Sequence, residues 1–170
     1  INQIPKVELH IHLEGSIPLK TLYQLIQKHI KEPSINSLKD LPPKFIYREF
    51  SHFIRDWVWK NYRDCIKKEE DFEQITYNLL KILHRQNVKY AEIFYSPGDY
   101  IKRGLSAPSI TEFIIEGKKR AYNNFGIRSE LIVDLIRNQG PEAGMKRLKE
   151  LTPYLGKGLI GIGLGGGEQN

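Results

Sequence analysis

Short apolar runs with the spacing of β-strands alternate with helical patterns along the whole chain. The strand-like runs cover about residues 6–13, 88–96, 129–136 and 159–164, and the first alternates aliphatic with polar side chains. Because helical segments separate the strands, each connection must cross from the end of one strand to the start of the next, which requires parallel pairing. The pattern therefore predicts an α/β fold, either an open doubly wound sheet or part of a (β/α) barrel.

Helices are predicted where apolar residues recur three and four positions apart. The longest such pattern predicts a helix from about residue 44 to 66, followed by another from about 70 to 85. Serine hydroxyls accept hydrogen bonds from the free N–H groups at helix starts. We therefore expect Ser16 to cap the first helix and Ser109 to cap the helix after the second strand.

The composition is that of one globular domain. The 170 residues are 40% hydrophobic and 27% charged, close to the average for soluble domains. The formal net charge of +6 is scattered among acidic residues, so we expect no nucleic-acid partner. No apolar run approaches the length of about 18 residues that a membrane helix needs, so no membrane partner is expected. The single cysteine, Cys65, cannot form an internal disulfide, which favours a reducing, cytoplasmic location.

Two histidines in the first strand are the strongest chemical signal. His10 and His12 are two residues apart, so both side chains project from the same face of a strand, close enough to bind one ion. Two histidines on a half-exposed strand face are the alternative interpretation. Their place near the end of the first strand of a βα series, where α/β barrels carry their chemistry, favours a metal site. The other histidines are interpreted as surface or helix-end residues: His29, His52 and His84.

Three stretches resemble the adenosine/adenine deaminase family, zinc enzymes of the amidohydrolase barrel type. Residues 5–17, PKVELHIHLEGSI, resemble the family's opening motif, while residues 90–97, YAEIFYSP, and 160–168, IGIGLGGGE, are similar to its second and fourth strands. The resemblance implies a TIM (β/α)8 barrel of the metal-dependent hydrolase type, with only the first four strands and their helices present. Residues 1–170 would then form the N-terminal half of a single barrel domain. The chain departs from the family at Phe94, where arginine is usual.

The resemblance also implies roles for individual residues. His10 and His12 correspond to two zinc ligands, and His12 also to a neighbour of the substrate. Glu14 is similar to the acidic residue that holds the 5′-hydroxyl of the sugar in adenosine deaminases. Gly166 corresponds to a glycine whose backbone N–H meets a purine ring nitrogen, an approach that a side chain would obstruct.

The apolar face of the predicted 44–66 helix matches a helix that covers the substrate pocket in this family. Phe53 and Trp57 are the candidates for substrate contact on that helix. Ordinary core packing of an amphipathic helix is the alternative interpretation for both residues.

The activity that the resemblance implies is zinc-dependent hydrolytic deamination of a purine nucleoside or base, with adenosine to inosine favoured. The zinc cofactor would make hydroxide available at neutral pH. The family's remaining zinc ligands and its proton-transferring residues lie on later strands. We therefore expect the missing C-terminal half of the barrel to complete the site, and the 170-residue chain to be inactive alone.

Three alternatives stay open from the residues themselves. Two copies, or a second chain, could close the barrel, although the chain begins at Ile1 and stops just after an apolar run, as expected for a piece of a longer protein. A non-catalytic barrel-like module for assembly or ligand binding would use the histidines structurally. A different amidohydrolase acting on an amide or ester would share the histidine pair but would not need a purine-contacting glycine loop.

Overall fold

Four parallel strands form one sheet in the computed structural model, which describes residues 3–53 and 63–167. The strands are β1 (Lys6–His12), β2 (Val88–Tyr95), β3 (Arg128–Ile136) and β4 (Leu159–Gly165). Their spatial order is β1-β2-β3-β4, and every neighbouring pair is parallel. A doubly wound sheet reverses its strand order at a switch point, whereas a (β/α) barrel adds each strand beside the last. The observed order is that of half a barrel, as predicted.

Helices occupy the connections between the strands. They are α1 (Leu19–His29), α2 (Phe50–His52), α3 (Arg63–Cys65), α4 (Glu69–Arg85), α5 (Ala107–Phe125) and α6 (Gly140–Leu151). The first connection holds α1 to α4, and the next two hold one α-helix each. Within the described ranges, no helix is both long and apolar enough to cross a membrane.

Both predicted serine caps are wrong, and each helix starts away from its expected cap. Ser16 is the last residue of a 3-10 turn, and α1 begins at Leu19 with Pro18 as its N-cap, two residues later than a Ser16 cap would place it. The N–H of Ser109 donates to the hydroxyl of Ser106 at 3.3 Å, so Ser106 is the cap of α5. Pro108 then lies in the first helical turn, where its missing N–H costs nothing.

The predicted helix over 44–66 is wrong at its start. Residues 42–45 form a 3-10 turn and Ile46 is extended, so the α-helix begins at Phe50. The ring of Tyr47 meets that of Phe53 edge-on at 5.1 Å, a contact that a continuous helix does not allow at a spacing of six residues. Residues 54–62, which include Trp57, lie outside the described residues.

The sheet is buried on one side at its centre and exposed at its edges. Ile93, Tyr95, Leu131 and Val133, on β2 and β3, are fully buried in the hydrophobic core with the helices. By contrast, several large aliphatic side chains of the two edge strands are at least half exposed. These are Val7 and Leu9 on β1 and Ile162 and Leu164 on β4. Apolar strands exposed in this way indicate surfaces that further structure covers.

Asp71, at the start of α4, joins the end of α1 to α4. Its buried carboxylate accepts from Lys28 Nζ at 2.8 Å and from the backbone N–H groups of Lys67 and Lys68, and His29 Nε2 lies 2.9 Å away. His29 is thus at the end of α1, as predicted, but its side chain is only 9% exposed. Burial alone would raise the pKa of Asp71, but the hydrogen bonds from Lys28, His29 and the two backbone groups outweigh it and lower that pKa.

We expect Asp71→Asn to lower the free energy of unfolding by about 2–3 kcal/mol at pH 7, because it removes a buried charge and the cap of α4. The folded-state pKa of Asp71 is depressed, so its contribution is present above the unfolded pKa of about 4 and is lost as the pH falls further. Urea denaturation of the complete protein should therefore show that the difference between parent and variant shrinks in acid. Asp64→Asn, which breaks a partly exposed pair with Arg103, should cost less than about 1 kcal/mol at every pH.

Candidate metal centre

The two histidines of β1 converge as the sequence predicts. His10 Nε2 and His12 Nε2 are 3.2 Å apart. Two imidazoles bound to one tetrahedral zinc at about 2.0–2.1 Å hold their nitrogens about 3.3 Å apart. The observed spacing therefore fits two ligands of the same ion, and the pair lies at the carboxyl end of β1, where barrels carry their chemistry.

Phe94 on β2 supports both imidazoles. Its ring stacks on His10, with centroids 4.2 Å apart and planes at 14°, and lies 5.5 Å from the ring of His12. His12 is paired with Phe94 in the sheet, and the next N–H, that of Leu13, donates to the Phe94 carbonyl at 2.8 Å. Phe94, the residue at which the chain departs from the deaminase motif, thus limits the orientations of the His10 and His12 rings.

Asp134 on β3 lies on the other side of the His12 ring. Its Oδ2 is 3.3 Å from His12 Nδ1, and its side chain is only 6% exposed, whereas that of His12 is half exposed. The hydrogen bond to Asp134 raises the pKa of His12; partial burial opposes this effect, and the charges of Asp134 and Glu14 add to it. The carboxylate therefore favours a positive charge at this imidazole.

Gly163 on β4 leaves the space that the Asp134 carboxylate occupies. A Cβ at position 163 would lie 2.1 Å from Asp134 Oδ1 and about 3.0 Å from the Phe94 ring. Any side chain there would displace one or both groups. The other glycines of β4 differ: a Cβ at Gly161 would have its nearest neighbour 3.9 Å away, on Ile132, and one at Gly165 would have its nearest neighbour at the same distance.

Glu14 follows β1 and turns towards the end of β2. Its Oε1 accepts the N–H of Ser96 at 2.8 Å. Burial raises the pKa of Glu14 to about 7; the hydrogen bonds from the Ser96 and Glu14 N–H groups and the nearby His12 lower it, while Asp99 raises it. The carboxyl thus lies next to His12 at the same end of the sheet, and its contact with a sugar stays a prediction.

Gly166, just beyond β4, adopts the left-handed φ of +95° that favours glycine. A Cβ there would also lie 2.6 Å from Asn138 Oδ1 and 3.3 Å from the backbone nitrogen of Arg137. The same Asn138 oxygen accepts the N–H of Gly167 at 2.8 Å, which ties the loop after β4 to the loop after β3. The predicted approach of a purine to the Gly166 N–H stays a prediction.

The predicted pocket helix is only partly described. Phe53 is partly buried against the core and against Tyr47, as the packing alternative expects, and its contact with substrate stays a prediction. Trp57 falls outside the described residues. In the ranges that the structure describes, no group of three or more His, Cys, Asp or Glu side chains could hold a metal. This part of the chain thus offers two clear donors, the imidazoles of β1.

The roles of four residues at this end of the sheet were not found from the sequence, although two of them left a signal. Asp134 is a charged residue inside an aliphatic strand, which indicates a buried carboxylate with a specific partner. Glycines alternating along β4 indicate the close approach of a neighbouring group. Nothing in the sequence indicates that Phe94 would stack on His10 or that Asn138 would hold the loop after β4.

Replacement of Gly163 by alanine tests the packing at this site. Its methyl group would overlap the Asp134 carboxylate and press on Phe94, so we expect Gly163→Ala to lower the free energy of unfolding by about 1–3 kcal/mol. Gly161→Ala is the matched control on the same strand and should change it by less than about 1 kcal/mol. Equal effects of the two variants, measured by urea denaturation of the complete protein, would contradict this account.

Comparison with known proteins agrees with the fold and the motif. The family model for adenosine deaminase matches residues 5–170. An adenine deaminase of Crocosphaera subtropica is 30% identical over 170 residues, which are all of this chain and 51% of that protein. An aminodeoxyfutalosine deaminase of Acidothermus cellulolyticus is 27% identical over 169 residues, 99% of this chain and 47% of that protein.

Solved structures give the same result for the fold. An amidohydrolase from Burkholderia ambifaria, crystallised with bound Zn, superposes with a TM-score of 0.81 at 24% identity, over 98% of this chain and 45% of that one. The chain thus spans about half the length of the proteins it matches, and its fold is that of the N-terminal half of an amidohydrolase-type TIM barrel. The match of the family model to nearly every residue establishes that the chain belongs to the adenosine deaminase family.

Proposed function

We propose that this chain forms the N-terminal half of a barrel that deaminates a purine nucleoside or base by hydrolysis, with zinc as its cofactor. The observation that carries the proposal is the convergence of His10 Nε2 and His12 Nε2 to 3.2 Å at the carboxyl end of β1. A non-catalytic module would not need two imidazole nitrogens to face one point. Membership of the adenosine deaminase family gives this geometry its chemical interpretation.

Zinc would be held by His10 and His12 together with donors from outside the described residues. Their donor type fits, since imidazole nitrogen is a common zinc ligand and their spacing suits a tetrahedral ion. An ion held by these residues would supply an activated water near neutral pH. The zinc found in the Burkholderia ambifaria amidohydrolase supports this choice of metal.

The second half of the barrel would come from further sequence. The edge strands β1 and β4 expose aliphatic side chains, including Leu9 and Ile162, and have unpaired backbone edges in the described structure. Relatives of about twice the length support a single domain that extends beyond residues 1–170. Such a continuation would cover these surfaces and supply the remaining zinc ligands and the proton-transferring groups.

The proposed substrate is a purine with an exocyclic amino group at C6. Oxygen from water replaces that amino group, and ammonia leaves. The names of the relatives differ in substrate, adenine in one and aminodeoxyfutalosine in another. We favour adenosine, which gives inosine, because Glu14 at the rim could accept a hydrogen bond from a sugar hydroxyl, while the N–H of Gly166 could meet a ring nitrogen. His12 adjoins the same space, and Phe53 and Trp57 would cover it.

Replacement of either histidine should remove the metal. In the complete protein we expect His10→Ala and His12→Ala each to weaken zinc binding at least 100-fold and to abolish ammonia release from adenosine or adenine, because each removes a ligand. His84→Ala is the control, since His84 stacks on Phe125 in the helical layer. Zinc content measured by atomic absorption should fall in the first two variants only. Equal zinc content in all three would overturn the assignment.

Glu14→Gln should distinguish nucleoside from free base. If the carboxylate holds a sugar hydroxyl, its loss removes a charge-assisted hydrogen bond that adenine cannot make. The loss in kcat/KM should therefore be at least about tenfold larger for adenosine than for adenine. Steady-state ammonia release from both substrates by one enzyme preparation provides the comparison. Equal losses for the two substrates would show that Glu14 does not contact the sugar.

A further inference from the structure

Asp134 is a buried carboxylate that has no role so far in the proposed reaction. It lies in β3, between aliphatic residues, and its side chain is 6% exposed. In the described part of the chain, the only ion-pair contact found for it is with His12 Nδ1, at 3.3 Å. An ionised carboxylate buried without a partner is strongly unfavourable, so this contact is needed for its burial.

We propose that Asp134 is a positioning residue that fixes the tautomer and the ring orientation of His12 for metal binding. The carboxylate accepts the Nδ1–H of His12, which leaves the lone pair of Nε2 directed at the point that His10 Nε2 also faces. This inference rests on the proposed function, because it presumes an ion shared by the two imidazoles.

The geometry separates Asp134 from the ligands themselves. Nδ1 and Nε2 lie on different sides of the imidazole, and Asp134 contacts His12 at Nδ1, whereas His10 contacts it at Nε2. The Asp134 carboxylate is therefore on the side of the imidazole away from Nε2, the nitrogen proposed to bind the metal. In this position it increases the basicity of Nε2 and compensates the charge of a cation bound there.

A second, independent observation comes from β4. The Asp134 carboxylate extends over Gly163, into space that a side chain at position 163 would fill, since a Cβ there would lie 2.1 Å from Oδ1. Phe94 closes the same space from β2, with ring carbons 3.0 and 3.1 Å from that point. The site is therefore shaped around the carboxylate, which has little room to leave His12.

The test measures zinc affinity separately from catalysis. Metal-free complete protein is titrated with zinc against a chromophoric chelator at one pH. We expect Asp134→Ala to raise the Kd for zinc 10- to 100-fold while one zinc per chain still binds at saturation. Asp134→Asn is nearly isosteric but uncharged, and its amide can turn an N–H towards Nδ1, so it should raise the Kd at least threefold.

Glu92→Gln is the matched control. It removes a carboxylate from the neighbouring strand β2, where Glu92 accepts from the hydroxyl of Tyr90 at 3.0 Å, and it should leave the Kd within twofold of the parent. Thermal unfolding of the metal-free variants reports folding separately. If Asp134→Ala does not fold, the Kd of Asp134→Asn decides.

The outcomes distinguish this inference from the proposed function. If both Asp134 variants bind zinc within twofold of the parent while His10→Ala loses it, the metal site stands and the positioning role is wrong. If Asp134→Ala loses zinc as completely as His10→Ala, Asp134 is a ligand and the inference is also overturned. If His10→Ala itself leaves zinc affinity unchanged, the proposed function fails.

Discussion

The register between β1 and β2 is the constraint on which the site depends. Glu8 is paired with Ala91 and Ile11 with Ile93, so three residues of β1 advance against two of β2. This bulge ends the strict alternation of the strand, and Leu9 and His10 are both exposed. A slip of one residue turns every later side chain to the opposite face. The bulge, which contains His10 and precedes His12, therefore places both histidines beside Phe94. Bulges commonly occur next to functional sites for this reason.

Side chains on one face of the sheet pack in the core, and those on the other face form the candidate site. Side chains such as Ile93 and Leu131 fill the core beneath the helices, while Phe94 and Asp134 alternate with that set and meet the histidines. A half barrel with this arrangement leaves the two histidines exposed, although the Asp134 carboxylate beside them is buried. The aliphatic residues of β1 and β4 are exposed here, whereas the strands of a closed barrel are paired on both sides.

The sequence predicts the fold better than it predicts the local structure. Four apolar runs and the helical patterns between them are enough for the parallel sheet, because the connection geometry leaves few alternatives. The helix starts were mispredicted because several residues can serve as caps, and the choice between Ser106 and Ser109 depends on where Pro108 fits. The histidine pair could be found because period two places both side chains together. The contact between His12 and Asp134 could not, because it joins residues 122 positions apart across an intervening strand.

Gly163 and Asp134 are best understood as one structural unit. The carboxylate reaches from β3 into space above β4, and it can do so only while position 163 has no side chain. A substitution at either position changes what the other can tolerate, so their effects on stability and metal binding should not add. A larger residue at 163 would require both a shorter residue 134 and a shift of the Phe94 ring, and His12 would then need a new partner for Nδ1. The geometry of the candidate metal centre therefore depends on all four strands, although only β1 supplies the two imidazoles.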